Sequence, residues 1–192
     1  MFGKTDICNL ALGYLNQPPI QGLDEETPEA ELCSRLLPSV VERLLGRRAW
    51  AFATRRLTLK RLTGEKSPYE DMPSVFALPG DCVRVVSVGS DQEYIREATR
   101  IYSDGDEIIL EYVKLADDPA IWPATFASAV AYLLAAEMCP AISGNMTLHQ
   151  ILYKRYMEEA ARAASEDAAE NYAMHQARRR PGRWLSAHLG GI

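Results

Sequence analysis

The chain has 192 residues, 47% of them apolar and 24% charged, which excludes a disordered or collagen-like polymer and supplies ample material for one ordinary domain. A net charge of −5 excludes a protein built as a whole to coat nucleic acid. Cys8, Cys33, Cys82 and Cys139 are far apart and form no CxxC, so they read as reduced thiols, and MFGKTDICNL shows no basic-then-apolar leader pattern.

Taken in chain order, Thr5 is expected to cap a first helix whose apolar stripe is Ile7, Leu10, Ala11, Tyr14 and Leu15. The NQPP stretch breaks it. Thr27-Pro28-Glu29 reads as cap, first-turn proline and dipole-matching acid of a second helix. That helix buries Cys33, Leu36, Leu37, Val40, Val41, Leu44 and Leu45, and Pro38 predicts either a kink or a later start. Arg43, Arg47 and Arg48 crowd its C-terminal end, where positive charge is favoured.

From Trp50 the period changes. AFATRRLTL is strand-like, SVFALPGDCVRVVSVGS gives two short strands around a Pro-Gly turn, and the stretch to Val113 ends in a hairpin turning at Asp104-Gly105. A small antiparallel β lobe is expected here. Asp117-Asp118-Pro119 opens a helix that runs to Cys139-Pro140, with Phe126, Val130, Leu133 and Leu134 toward the core. Residues 119–136 carry no charge, but Pro123, Thr125, Ser128 and many alanines read as a buried core helix instead of a membrane span. The longest helix is expected from about Met146 to about Ala177, roughly 45 Å at 1.5 Å per residue. Leu148, Ile151, Leu152 and Tyr156 anchor its first half. Its second half offers little but alanine, so it is either solvent-exposed or packed closely against another chain.

The expected architecture is therefore mainly α with a small antiparallel β insert, an α+β chain. A helical body takes residues 1–49 and 117–177, a β lobe takes 50–116, and an extended C-terminal arm takes 178–192.

The chemistry-bearing patterns are thin. His149, His175 and His188 have no neighbours at ligand spacing, so no metal is expected. GxxxxGK[ST], GxGxxG and GxSxG are all absent, and no cofactor or catalytic function is expected. The EDAAE acids, residues 166–170, read as a solvated helix face. Charge is nonetheless uneven. Arg43, Arg47, Arg48, Arg55, Arg56, Lys60 and Arg61 fall in a stretch without an acid, and Arg178, Arg179, Arg180 and Arg183 make a second basic block. Acids gather in LDEETPEAE, DGDEIILEYVKLADD and EEAARAASEDAAE. Acidic and basic blocks on one chain suit a head-to-tail contact between copies, which can close into a ring.

The helix end GRRAWAFATRRLTL, with ICNLALGYLNQPPIQGL before it and the hairpin and long helix after it, resembles the tail tubular protein A family of short-tailed bacteriophages, the head-to-tail adaptors beneath the portal. The matching features are a turn from Gly13 to Pro19, an acidic loop, a helix ending in R-x-W-x-F at Arg48, Trp50 and Phe52, a β insert, a helix pair and an irregular arm. The resemblance covers essentially the whole chain. It implies a ring of about twelve copies around a DNA channel, docked on the portal protein and receiving the tail nozzle protein. It also implies a place at the head–tail junction of a virion made in host cytoplasm, with no membrane and no enzymatic activity.

On this reading Arg178, Arg179, Arg180 and Arg183 pair with portal acids and Trp184, Leu185 and Leu189 are apolar anchors, unless the arm folds back on its own subunit. Trp50 and Phe52 are core where helix meets β lobe. Arg55, Arg56 and Arg61 are candidates for the neighbour contact. Glu158, Glu159, Glu166, Asp167 and Glu170 either line the channel, where acid repels phosphate, or face outward. A second class of function is a DNA-binding packaging accessory that sets Arg43–Arg61 directly on phosphates.

Overall fold

The computed structural model describes residues 3–89 and 93–179, with side chains as far as residue 170. The fold is α+β: four helices enclose one core and two small antiparallel sheets enclose another.

Helix α1 spans Lys4–Tyr14. Its cap is Gly3, not Thr5: the Gly3 N–H donates to the Asp6 carboxylate at 2.7 Å and the Gly3 carbonyl accepts from Ile7 N–H. The buried stripe is Ile7, Cys8, Ala11, Leu12 and Leu15, whereas Leu10 lies exposed beside it. Asn16 ends the helix in the left-handed region (φ 57°), with Gln17 N–H reaching back to the Leu12 carbonyl. Asn9 then holds the following loop by exchanging two hydrogen bonds with the Ile20 backbone, at 2.8 and 2.9 Å.

Helix α2 spans Pro28–Leu45 and begins as its sequence dictates, with Thr27 Oγ1 accepting from Ala30 N–H. The helix runs on through Pro38 without restarting there. Proline has no N–H, so the Ser34 carbonyl lacks its usual helical donor.

Strand β1 is Thr54–Lys60, β2 Ser74–Ala77, β3 Cys82–Val88, β4 Ile95–Glu97, β5 Arg100–Ser103 and β6 Glu107–Lys114. They form two three-stranded sheets, ordered β1-β6-β3 and β2-β5-β4. This corrects the expected hairpin. Asp104-Gly105 does not join paired strands; it carries the chain from β5 in one sheet to β6 in the other. The tight hairpin is β4–β5, where Glu97 faces Arg100 across Ala98-Thr99 and Ala98 takes φ 46°. The Pro-Gly turn at 79–80 likewise passes between sheets. The inner faces meet in a core of Phe76, Val88, Ile101, Ile108, Leu110 and Tyr112.

Asp118 caps a single 3-10 turn, Pro119–Ile121, through Ala120 N–H at 3.0 Å. Trp122 must then adopt an extended backbone before Pro123, so helix α3 starts later than expected, at Ala124, and runs to Ile142 through Pro140. Helix α3 is long and apolar enough to cross a membrane by length and composition, and most of it is buried within this chain. It is the central helix, touching α1, α2 and the long helix α4, Met146–Arg179. Tyr14 stacks flat on Tyr132 between α1 and α3, with ring centroids 4.3 Å apart. On α4 the buried face is Leu152, Tyr156, Ala160 and Ala163; Ile151, expected as an anchor, points to solvent at 53% exposure. Alanine on this face lets α3 and α4 approach closely, so the second half of α4 is packed within its own subunit at least as far as Asp167.

Phe126 of α3 is the aromatic hub of the helical core. Trp50, Phe52 and Trp122 each meet its ring edge-on, at 5.0, 4.9 and 5.4 Å between centroids. Phe126→Ala is expected to cost about 3–5 kcal/mol in urea unfolding. A cost under about 1 kcal/mol would mean that this cluster does not join helices to sheets.

Candidate functional site

The segment where α2 gives way to β1 is held by hydrogen bonds from both its own backbone and α4. After Leu45 the backbone leaves the helix, and Trp50 turns inward. Its indole N–H donates to the Leu44 carbonyl at 2.9 Å, which also accepts from Arg47 N–H at 3.2 Å. The Trp50 carbonyl in turn accepts from the Thr54 hydroxyl at 2.6 Å and from Thr54 N–H at 2.8 Å. Trp50 is buried and Phe52 packs against the same core, as the sequence reading expects.

Asp167 of α4 closes this corner. Its side chain is only 3% exposed. One oxygen accepts from Ala51 N–H at 2.7 Å and the other lies 3.2 Å from the Arg48 guanidinium. Arg48 also donates to the Ala164 carbonyl and stands 5.3 Å from the centre of the Trp50 ring. An ion pair this buried is held by its hydrogen bonds more than by its charges alone, because desolvation offsets much of the Coulomb attraction. Asp167 therefore faces the body of its own subunit, which corrects its placement among possible channel-lining acids. It lies nine residues from Glu158, half a turn around the helix, and Glu158 is exposed.

Of the other acids of α4, Glu159, Glu166 and Glu170 fall within about 40° of one another on the helix, and Glu158 lies about 100° from Glu159. Glu158 pairs with Arg155 and Glu159 with Arg162, both at 3.3 Å on the same helix. Glu166 accepts from the Thr125 hydroxyl at 2.8 Å, and Glu170 is exposed.

The basic stretch is largely absorbed by its own chain. Four of its seven cations meet acids: Arg43 with Glu137, Arg48 with Asp167, Lys60 with Glu107 and Arg61 with Asp106. Arg47 lies over the Tyr156 ring and Arg55 donates to the Phe52 and Thr54 carbonyls. Arg55 and Arg56 are exposed on β1, an edge strand of its sheet, with Arg56 opposite Glu111 of β6. Arg61 is exposed as well, but its ion pair with Asp106 is internal.

Of the arm, Arg178 and Arg179 fall at the end of α4, beyond the described side chains. Arg180, Arg183, Trp184, Leu185 and Leu189 lie outside the described residues. No group of three or more potential metal ligands gathers among the described residues. Cys8 and Cys33 face each other in the core, and hydrogen bonding to Cys33 together with burial holds the Cys8 thiol well above its ordinary range. Tyr156, buried with no hydrogen-bond partner for its hydroxyl, is pushed up by burial.

Sequence reasoning missed Asp167 as a structural acid. The signal was present: Asp167 falls on the helical face of Leu152, Tyr156, Ala160 and Ala163, where a solvated carboxylate does not belong. No protein-family model and no curated protein matches the chain.

Asp167→Ala removes the acceptor of both Arg48 and the Ala51 amide and is expected to cost about 2–4 kcal/mol in denaturant unfolding. Glu158→Ala, which breaks an exposed pair on the same helix, is the control and should stay within about 0.5 kcal/mol. Equal costs would refute the closing role of Asp167.

Proposed function

We propose that this chain is a structural adaptor of the head–tail junction of a short-tailed bacteriophage, resembling the tail tubular protein A family, and that it works as a ring beneath the portal. The observation that carries this reading is the corner at Arg48, Trp50 and Phe52. The R-x-W-x-F stretch on which the resemblance rests is buried at Trp50 and half-buried at Arg48 and Phe52, is bonded to α4, and is placed where the helices hand over to the sheets. A joint of this kind suits a part that passes mechanical load between two partners.

In this reading the helices form the ring body, and the sheets, as a β lobe, meet neighbours or the tail nozzle protein. The exposed Arg55 and Arg56 supply the contact to the next copy, with Arg61 beside them. Residues 178–192 form the arm that reaches the portal. DNA passes through the channel without sequence-specific binding, and Glu158, Glu159, Glu166 and Glu170 are the acids available to keep phosphate from sticking. The alternative, a packaging accessory that grips DNA through Arg43–Arg61, is weakened by the four intrachain ion pairs of that stretch.

Native mass spectrometry of the protein mixed with its portal ring tests the proposal. About twelve copies added per portal ring is the expected result. A protein that leaves the portal mass unchanged would overturn it.

A further inference from the structure

A groove of about 290 Å³ runs along α2 beside the chain that leaves β6. Its apolar floor is Leu23, Leu37, Val41 and Leu115, and Leu115 is left 38% exposed. Ser34 and Pro38 form one wall. Because Pro38 has no N–H, the Ser34 carbonyl on that wall lacks its helical donor and remains able to accept from an incoming group. The rim is acidic. Glu42 lines it, and the neighbouring Arg43 is taken up by Glu137 of α3. Asp117 lines it too; Lys4, which also lines the groove, lies 2.8 Å away, and that hydrogen bond, with the charge of Lys114 nearby, holds the Asp117 carboxyl below its usual range. Asp24 and Asp118 follow directly on the lining residues Leu23 and Asp117.

A groove with an apolar floor, a spare carbonyl and an acidic rim fits an apolar body that carries an N–H donor and is flanked by fixed positive charge. Tryptophan next to arginine has this chemistry, because its indole is a donor only. The sequence holds such a segment at Arg183-Trp184-Leu185, preceded by Arg178, Arg179 and Arg180. Glu166 accepts from Thr125 in the first turn of α3, and α4 continues thirteen residues farther, about 20 Å, to Arg179, four residues before the segment begins.

We propose that the α2 groove of one copy receives the Arg183-Trp184-Leu185 segment of a second copy, with Trp184 on the apolar floor and Arg183 against Glu42. The inference does not rest on the adaptor reading, since both partners are copies of this chain. If that reading also holds, the portal must displace the segment from the groove. Self-association would then be the state of the protein away from the portal.

Sedimentation velocity of the full chain over a range of concentrations tests this, with circular dichroism as a check on folding. The wild-type protein is expected to self-associate, and Trp184→Ala and Glu42→Lys should each weaken association at least tenfold. Glu42 is exposed, so its reversal leaves the core intact. The double variant Glu42→Lys with Arg183→Glu restores opposite charges across the contact and should recover association to within about threefold. A wild-type chain that stays monomeric throughout would overturn the proposal, including the case where the segment folds onto its own groove. Association that ignores both single variants, or that the double variant fails to recover, would overturn it as well.

Discussion

The buried carboxylate of Asp167 is the constraint on which the rest of the molecule depends. It sits two-thirds of the way along α4 and holds the Arg48 guanidinium and the Ala51 amide, both from the segment between α2 and β1. Arg48 in turn covers Trp50, and Trp50 meets Phe126 of the central helix. One side chain thereby ties the last helix to the junction from which the sheets depart. Bonds of this kind are weak sources of net stability but strong sources of geometry, because every alternative arrangement leaves a buried charge without a partner.

The same logic explains the charge pattern of the surface. A run of seven cations without an acid looks like a nucleic-acid grip when it is read along the chain. Folding brings Glu137, Asp167, Asp106 and Glu107 to four of these cations from distant segments. Arg55, Arg56 and Lys60 remain exposed on β1. At the groove rim, Lys4 and Lys114 act on Asp117.

Local chemistry was legible in the sequence and long-range pairing was not. Thr27-Pro28 starts α2 as written, because a cap and a first-turn proline act within one turn of helix. The strands were placed within a few residues by their change of period, and the buried character of α3 followed from its alanine-rich, charge-free run. Asp104-Gly105 misled because turn residues say that the chain bends, not which strand it joins; β6 finds β1 and β3 instead of β5. Leu10 and Ile151 were assigned to buried faces since a short apolar stripe leaves its centre uncertain by one residue, which is a rotation of about 100°. Asp167 reads as a solvated acid because its partner Arg48 lies on a distant part of the chain, and no pattern within α4 names that partner.

Hydrogen–deuterium exchange of the native protein tests the central claim, that the segment 48–54 is a rigid joint fixed by α4. The amides of Ala51 and Thr54 are expected to exchange as slowly as those in the middle of α3, since both donate to buried acceptors. Fast exchange there, at the rate of an ordinary surface loop, would show that the helices and sheets are joined by a flexible link and would contradict the account.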